Sequence, residues 1–589
     1  METEFNLLDE KWILVRKSDC TTDELSLTDA LLRSHEYTAL SGELPTQDVS
    51  ILRLLLAVLH TVFSRYTPEG EYKPVSSANE AMERWKALWD GGKFPEKPIR
   101  EYLLSQHEKF WLFHPERPFY QTKAAETRNG TSFTASKLHG ALSQSNNKVR
   151  LFPVRVPDEK SETTDSITLT YSEAARWLLY LNDYADTAGK KSEEARKSDV
   201  KLPSISVGWL GQLGIIYAIG DSLFRTLMLN FVVVNPLNMS LWGDEKKILK
   251  EKPIWELDKP REKERCEIAS PDNLAELYTL QSRRIFLERK DTGVTGYYLL
   301  GGDFFDDTIS CIEQMTLWER KDSKLSAPIF YPKKHNYNIK IWCEFSTIFA
   351  LLGKIQEEKD QEEKKREKKS LPGIVWWVNT LRNGKLIDKK RFINFGIASV
   401  EYDSKKSAID DLFSDSLTFH TDLLTEVGKR WQKSISEEVC KCEDIARKLG
   451  KLAADIEIAA GSSPEDAPKS ATVSHVQEQY YYEIDVPFRE WLLSIDPEWE
   501  SGSHEEHECI RKWHEISRKI AESLGKELVN SAEASAVVGR FIEVKDKTTT
   551  KNKNNENGGK RRVYLSAAGA FSKFMYSINF IYPKEEQNG

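Results

Sequence analysis

Leu52, Leu55, Leu56, Leu59 and Phe63 recur three or four residues apart. That spacing gathers side chains on one stripe of a helix and predicts a helix over about 48–66. A second is predicted over 78–90, stopped by Gly91–Gly92, since glycine readily takes the left-handed conformation that ends helices. A third covers 97–107. In FWLFHPERPFYQT, 110–122, two prolines bar a long helix. Residues 143–170 are polar and read as loop with short strands. Helices are expected again at 171–186 and 208–233, separated by a Lys- and Glu-rich loop over 184–203. The opening FNLLDEKWILVR reads as strand with a turn at Asp9–Glu10.

From about 253 to 350, short strand-like runs alternate with turns. The charged stretch EEKDQEEKKREKK, 357–369, interrupts them as a solvated insertion. A strand-rich piece with a hairpin signal at Asn383–Gly384 follows. After about 415 the pattern turns helical, over 415–460, 472–495, 503–526 and 563–580. Ser503 with Glu506 makes a capping box. The connection KDKTTTKNKNNENGGKRR, 545–562, carries seven basic and two acidic residues and reads as a disordered loop between helices. The expectation is an α+β chain: a large mixed α/β domain over 1–414 and an all-α four-helix bundle over 415–589.

Length agrees with two or three domains, since 589 residues exceed one ordinary core. The net charge of −8 changes the picture more. Proteins that hold nucleic acid by bulk charge are basic, so any such role here needs local basic loops or a basic partner. The cysteines, Cys20, Cys266, Cys311, Cys343, Cys440, Cys442 and Cys509, are odd in number and form no C-x-x-C, which argues against a disulfide framework or zinc knuckle. The apolar stretch 213–235 contains Asp221 and Arg225, which favours a buried helix over a membrane span. The N-terminus lacks the build of a signal peptide, and a cytoplasmic location is expected.

Catalytic signatures do not assemble. No G-x-x-x-x-G-K-[ST], G-x-S-x-G or H-E-x-x-H occurs. His504, His507 and His514 could share a helix face with Glu508 and Cys509 nearby, but an ordinary polar face explains them as well. Neither an enzyme nor a metal or other cofactor is expected.

Several ordered strings resemble one family. FNLLDEKWILVR, LFHPERPFYQT (112–122), SNNKVRLF (145–152), GWLGQLGIIYAIGDSLFRTLMLN (208–230), PIWE (253–256), YTLQSRRIFL (278–287) and YDSKKSAIDDLFSDSLTFH (402–420) are similar, in that order, to CasA. CasA is the Cas8-type large subunit of the type I-E CRISPR complex Cascade. The resemblance implies a non-catalytic subunit that recognises the PAM in target double-stranded DNA, wedges the duplex open to start the R-loop, and helps hold the displaced strand. Its implied partners are crRNA-bearing Cascade subunits, target DNA and a helicase-nuclease.

The resemblance also places contacts. The wedge falls on Tyr402, Ser404, Lys405 and Lys406, with Lys406 where the family often has glutamine. Lysine keeps donors but lacks the amide's acceptor. A loop of contacts falls on Asn146, Asn147, Lys148, Arg150 and Phe152. A minor-groove lysine finger falls on Arg320, Lys321 or Lys324. A glycine-loop counterpart falls on Ala188, Gly189 and Lys190, where only one glycine remains. Lys560, Arg561 and Arg562 are the displaced-strand candidates. The same residues also read as ordinary polar turns. A docking subunit without base readout, or a metal-dependent nuclease using the three histidines, are the rival readings.

Overall fold

The computed structural model describes residues 3–123, 131–138, 167–187, 206–235, 252–257, 271, 273–291, 293–303, 313–321, 329–336, 339–349, 369–370, 373–388, 391–407, 409–545 and 560–583. These form two compact units, Met1–Tyr337 with Thr347–Leu417, and Asn338–Ser346 with Thr418–Gly589. The second unit thus takes in a short segment that a single boundary at 414 leaves in the first.

The first unit is built around helix α1 (Pro45–Phe63), in which seventeen of nineteen residues are buried. Its leucine stripe is wrapped so fully because elements pack on every side of it. Among the described residues it is the one helix long and apolar enough to cross a membrane, and 94% of its apolar window is buried inside the protein. Helix α2 (Tyr171–Tyr184) begins with a full capping box made by Thr170 and Glu173. The helix at Ala78–Gly91 ends as predicted, with Gly92 at φ 68°.

The region 208–233 is not one helix. A 3-10 turn at Leu210–Gln212 leads into strand β1 (Ile215–Ile219), and a short helix follows at Leu223–Asn230. A short apolar run fits a buried strand as well as a helix. Here the β-branched residues and the flanking Gly214 and Gly220 decide for strand. A Cβ on Gly214 would lie 2.5 Å from the Lys333 carbonyl oxygen, and one on Gly220 2.4 Å from Arg225 Cβ.

Strands β2 (Arg283–Lys290) and β3 (Gly293–Gly301) form a sheet with Thr131–Thr134. Strands β4 (Leu317–Lys321) and β5 (Ile329–Lys333) pair antiparallel. The expected hairpin at Asn383–Gly384 is instead the end of helix α3 (Gly373–Asn383). Gly384 N donates to the Thr380 carbonyl, and Lys385, at φ 56°, turns the chain back. Strand β6 (Phe392–Tyr402) pairs with β1 from Asn394↔Ile219 to Ala398↔Ile215. Its other edge carries β7 (Ile409–His420), so the helix expected from 415 starts only at Lys429.

The second unit holds four long helices, α4 (Lys429–Ala460), α5 (Ala471–Ser494), α6 (His504–Asn530) and α7 (Ala567–Ile581). Ser503 caps α6 by accepting from Glu506 N, but the Glu506 carboxylate accepts from Gly502 N, so the reciprocal half of the box is shifted by one residue. Trp342 of the 338–346 segment stacks on Phe488 at 4.2 Å and donates to Asp485. The stretch before α7 is ordered at both ends. Strands β8 (Arg540–Lys545) and β9 (Lys560–Leu565) make an antiparallel ribbon, so Lys560, Arg561 and Arg562 sit in a strand and not in a loop. Alternating Arg-Phe-Ile-Glu-Val and Arg-Val-Tyr-Leu positions suit a ribbon, and a helical reading of 563–580 hides that.

Glu438 fastens the bundle. Its carboxylate accepts from Trp513 Nε1 at 2.9 Å, Lys441 Nζ at 2.6 Å and the Tyr582 hydroxyl at 3.0 Å, and lies 3.0 Å from His514 Nε2. Burial alone would raise its pKa. His514 and Lys441 outweigh burial and hold it at about 2.

Two outcomes are expected in urea unfolding of the full chain. Glu438→Gln removes an anionic acceptor from buried donors and destabilises the C-terminal unit by about 2–3 kcal/mol at pH 7. Because the folded pKa is depressed, wild-type stability from this group is present above the ordinary Glu range of about 4.3 and is lost as pH falls toward 2. The gap between wild type and variant therefore narrows in acid; an unchanged gap at pH 3 contradicts the assignment. In the first unit, a Cβ on Gly211 would lie 2.3 Å from the Tyr402 hydroxyl. Gly211→Ala should cost about 1–3 kcal/mol by overpacking, and adding Tyr402→Phe should recover at least part of that. A double variant weaker than Gly211→Ala alone shows the clash is not the cause.

Candidate nucleic-acid interface

The turn joining β6 to β7 carries Ser404, Lys405 and Lys406, which the resemblance places in a wedge. It is a fixed structure. Lys406 N donates to the Asp403 carbonyl at 2.7 Å, and the Asp403 carboxylate accepts from Ser407 N at 2.5 Å and Ser407 Oγ at 2.9 Å. Lys406 sits at φ 54°, in the left-handed region that disfavours a side chain. Ser404, Lys405 and Lys406 are exposed. Tyr402 is not. Only 6% of it is accessible, and its hydroxyl donates to the Tyr184 carbonyl at 2.7 Å. Tyr402 anchors the turn and is not a contact residue, which corrects its place among the wedge contacts.

The turn is held to a segment more than two hundred residues away in sequence. Thr187 N and Oγ1 both donate to the Lys406 carbonyl, at 2.9 and 3.0 Å. Thr187 immediately precedes Ala188, Gly189 and Lys190, which lie outside the described residues. The wedge and the start of the glycine-loop counterpart are therefore in direct contact.

Arg283 fixes the two chain ends that flank 188–205. Its Nη2 donates to the Asp186 carbonyl at 2.5 Å and to the Ser206 carbonyl at 2.6 Å. Burial lowers its pKa to about 10, against the opposing charge of Asp186, so it stays protonated at neutral pH. Gly208 completes the arrangement, because a Cβ there would lie 2.3 Å from the Asp183 carbonyl oxygen.

The β4–β5 hairpin approaches β6 with its Lys333 end, away from the lysine-finger candidates. Arg320 pairs in register with Phe330, and Lys321 with Ile329, on the last rungs before 322–328. Lys324 lies outside the described residues, as do Asn146, Asn147, Lys148, Arg150 and Phe152. Beyond the far end of β5, Lys334 Nζ donates to the Val400 carbonyl at 2.9 Å and lies 4.7 Å from the Tyr402 ring centroid. Burial draws its pKa down to about 8; Glu401 opposes this and Lys406 adds to it. A cleft of about 450 Å³ results, lined by Gln212, Tyr331, Pro332, Lys334, Glu401, Tyr402, Asp403, Ser404 and Lys406.

Among the described residues, Thr187 and the Lys334 end of the β4–β5 hairpin thus meet the β6–β7 region, while Arg320 and Lys321 lie at the other end of that hairpin. Thr187, Lys334 and Gln212 were missed in the sequence. The interleaved aromatic and basic run FYPKKH, 330–335, was a usable signal for Lys334. Chemically the site offers ammonium donors on a rigid turn, suited to phosphate oxygens and base-edge acceptors. Lys560, Arg561 and Arg562 belong to the second unit. The three histidines do not converge there either: His504 and His507 are exposed, and His514 lies beside Glu438. Among the described residues no cluster of three or more His, Cys, Asp or Glu could hold a metal.

Comparisons with known proteins agree with this architecture. A family model described as CRISPR-associated protein Cse1 matches residues 6–524. The CRISPR-associated protein CasA/Cse1 of Thermus thermophilus is 31% identical over 256 residues, a match that spans 43% of this chain and 42% of that relative. The crystal structure of Thermobifida fusca Cse1 superposes with a TM-score of 0.75 at 24% identity, covering 99% of this chain and 98% of that one. A chain of a CRISPR RNA-guided surveillance complex gives a TM-score of 0.62 at 16% identity, covering 90% and 96%. With the family model matching most of its length, the chain belongs to the CRISPR-associated Cse1 family.

Proposed function

We propose that this chain is the non-catalytic large subunit of a type I-E CRISPR Cascade complex. It recognises the PAM in target double-stranded DNA, wedges the duplex open to begin the R-loop and helps hold the displaced strand. The observation that carries the reading is the β6–β7 turn, which presents Lys405 and Lys406 on a backbone tied to Thr187. The surveillance-complex chain among its structural neighbours supports a place beside crRNA-bearing subunits. A cytoplasmic location and recruitment of a helicase-nuclease belong to the same proposal.

The division of labour is physically sensible. Guide pairing reads the target sequence, so the protein need read only a short duplex motif and disturb the adjoining step. A wedge works best when it does not move, because ordering it on contact would cost binding energy. Lys406 in place of the family's frequent glutamine favours splitting by bulk and a phosphate contact over readout by an amide.

The test uses the reconstituted complex. Lys405→Ala with Lys406→Ala should weaken binding to PAM-bearing duplex about tenfold or more and reduce the salt slope by about 1–2. Binding to guide-matched single strand should change less than about twofold. Equal losses on both substrates sink the wedge assignment. A band-shift series across PAM variants at fixed salt that shows no discrimination leaves the docking-subunit reading in its place.

A further inference from the structure

We propose that the β8–β9 ribbon is a stacking platform for single-stranded nucleic acid, with Phe541 and Tyr564 receiving bases and Arg562 a phosphate. It rests on the reading above that this chain meets an opened duplex, and it gives the displaced strand a definite seat.

Phe541 and Tyr564 face each other across the ribbon, with ring centroids 5.4 Å apart. They are 70% and 52% exposed. Large aromatic side chains left this open are costly to display and commonly mark contact surfaces. On the same exposed face the next pair in that alternation is Glu543 with Arg562, both also exposed. The last rung of the ladder pairs Lys545 with Lys560. The two strands together hold five basic residues and one acidic residue, in a chain whose net charge is −8. That local reversal of sign is what a polyanion needs and what an apolar protein partner does not. Aromatic rings alone are a weaker sign: Tyr576 and Phe580 on α7 are 76% and 82% exposed, but that helix carries only one charged residue, Lys573.

The platform is held firmly. The Tyr564 hydroxyl donates to the Val538 carbonyl, which fixes the ring in direction. Gly539, at φ 76°, lets the chain pass close by, since a Cβ there would lie 2.5 Å from the Leu565 carbonyl oxygen. Arg540 Nη2 donates to the Ser462 carbonyl at 2.8 Å, tying the ribbon to the end of α4. Rigid aromatics lose little freedom when a base stacks, and every base has a π-face, so such a seat tolerates any sequence. A displaced strand must be held in that way, because its sequence changes with every target.

The experiment uses the purified full chain with no guide and no PAM, so it stands apart from the wedge test. Fluorescence anisotropy compares a fifteen-residue thymidine oligonucleotide with an abasic oligomer of equal phosphate number. Wild type should prefer the thymidine oligomer by about tenfold. Phe541→Ala with Tyr564→Ala should erase that preference and leave abasic binding unchanged. Phe541→Trp should retain it, with indole fluorescence quenched on binding. Arg562→Ala should weaken both oligomers equally and lower the salt slope by about 0.7. Tyr576→Ala with Phe580→Ala should leave the preference in place. Equal binding of both oligomers by wild type overturns the proposal and needs no variant to fold. So does an unaltered preference in the Phe541/Tyr564 double variant. If that variant binds oligomer normally but no longer co-purifies with another Cascade subunit, the ribbon is a protein dock and the proposal is wrong.

Discussion

Arg53, carried into the core on α1, meets Glu313 through two hydrogen bonds of 3.0 and 2.9 Å, with both side chains almost wholly buried. Burying two charges costs several kcal/mol, and a well-packed apolar pair would be about as stable. What the pair adds is location. Glu313 also accepts from Trp209 Nε1 at 3.0 Å and from Met315 N at 3.1 Å, while its carbonyl accepts from Trp318 Nε1. The Arg53 guanidinium lies 4.4 Å from the Tyr278 ring centroid. Burial pushes the Glu313 carboxyl up, but Arg53 and these donors pull it below its ordinary value, so it remains the anion the arrangement requires. One buried acid thereby fixes the central helix, the start of the 208–214 segment and the stretch 313–316 that leads into β4.

The β6–β7 turn inherits its position from that point. Trp209 is flanked by Gly208, which closes on the Asp183 backbone, and by Gly211, which admits the Tyr402 hydroxyl. Tyr402 then ties β6 to the end of α2, Lys334 holds the end of β6, and the turn that follows is pinned by Thr187. A lysine held in the left-handed region costs about 1–2 kcal/mol relative to ordinary backbone. Two hydrogen bonds into its carbonyl are enough to offset that. The turn is thus strained locally and stabilised from outside, the condition under which a loop keeps its shape under load.

Much of the framework was legible in the sequence because its signals are local. The leucine stripe of α1, the Gly92 stop and the starts of α2 and α6 are each decided within a few residues. The failures have the same origin. Residues 215–219 satisfy both a helical and an extended reading until the packing around Gly214 and Gly220 is known. Asn383–Gly384 ends a helix as readily as it turns a hairpin. The wedge was assigned only by family resemblance, and Tyr402 was included as a contact because nothing nearby in sequence reveals that its hydroxyl is spent on Tyr184. Contacts such as Thr187 with Lys406 leave no periodicity to detect. Arg320 and Lys321 fall on the β4–β5 hairpin, where register fixes their backbones but does not make them a finger.

The sign of the whole chain completes the argument. The net charge is −8, and the basic features invoked above are short: two lysines on one turn and a ribbon whose strands hold five basic residues. At physiological salt, charges separated by more than about 8 Å hardly feel one another. Such features act only after close approach, so they contribute little to indiscriminate capture of DNA and most at contact. On the proposed reading, delivery then falls to the partners and the guide, and discrimination to a few rigid donors in the protein. That favours selectivity over affinity, since on this reading only a duplex seated against the turn gains the lysine contacts.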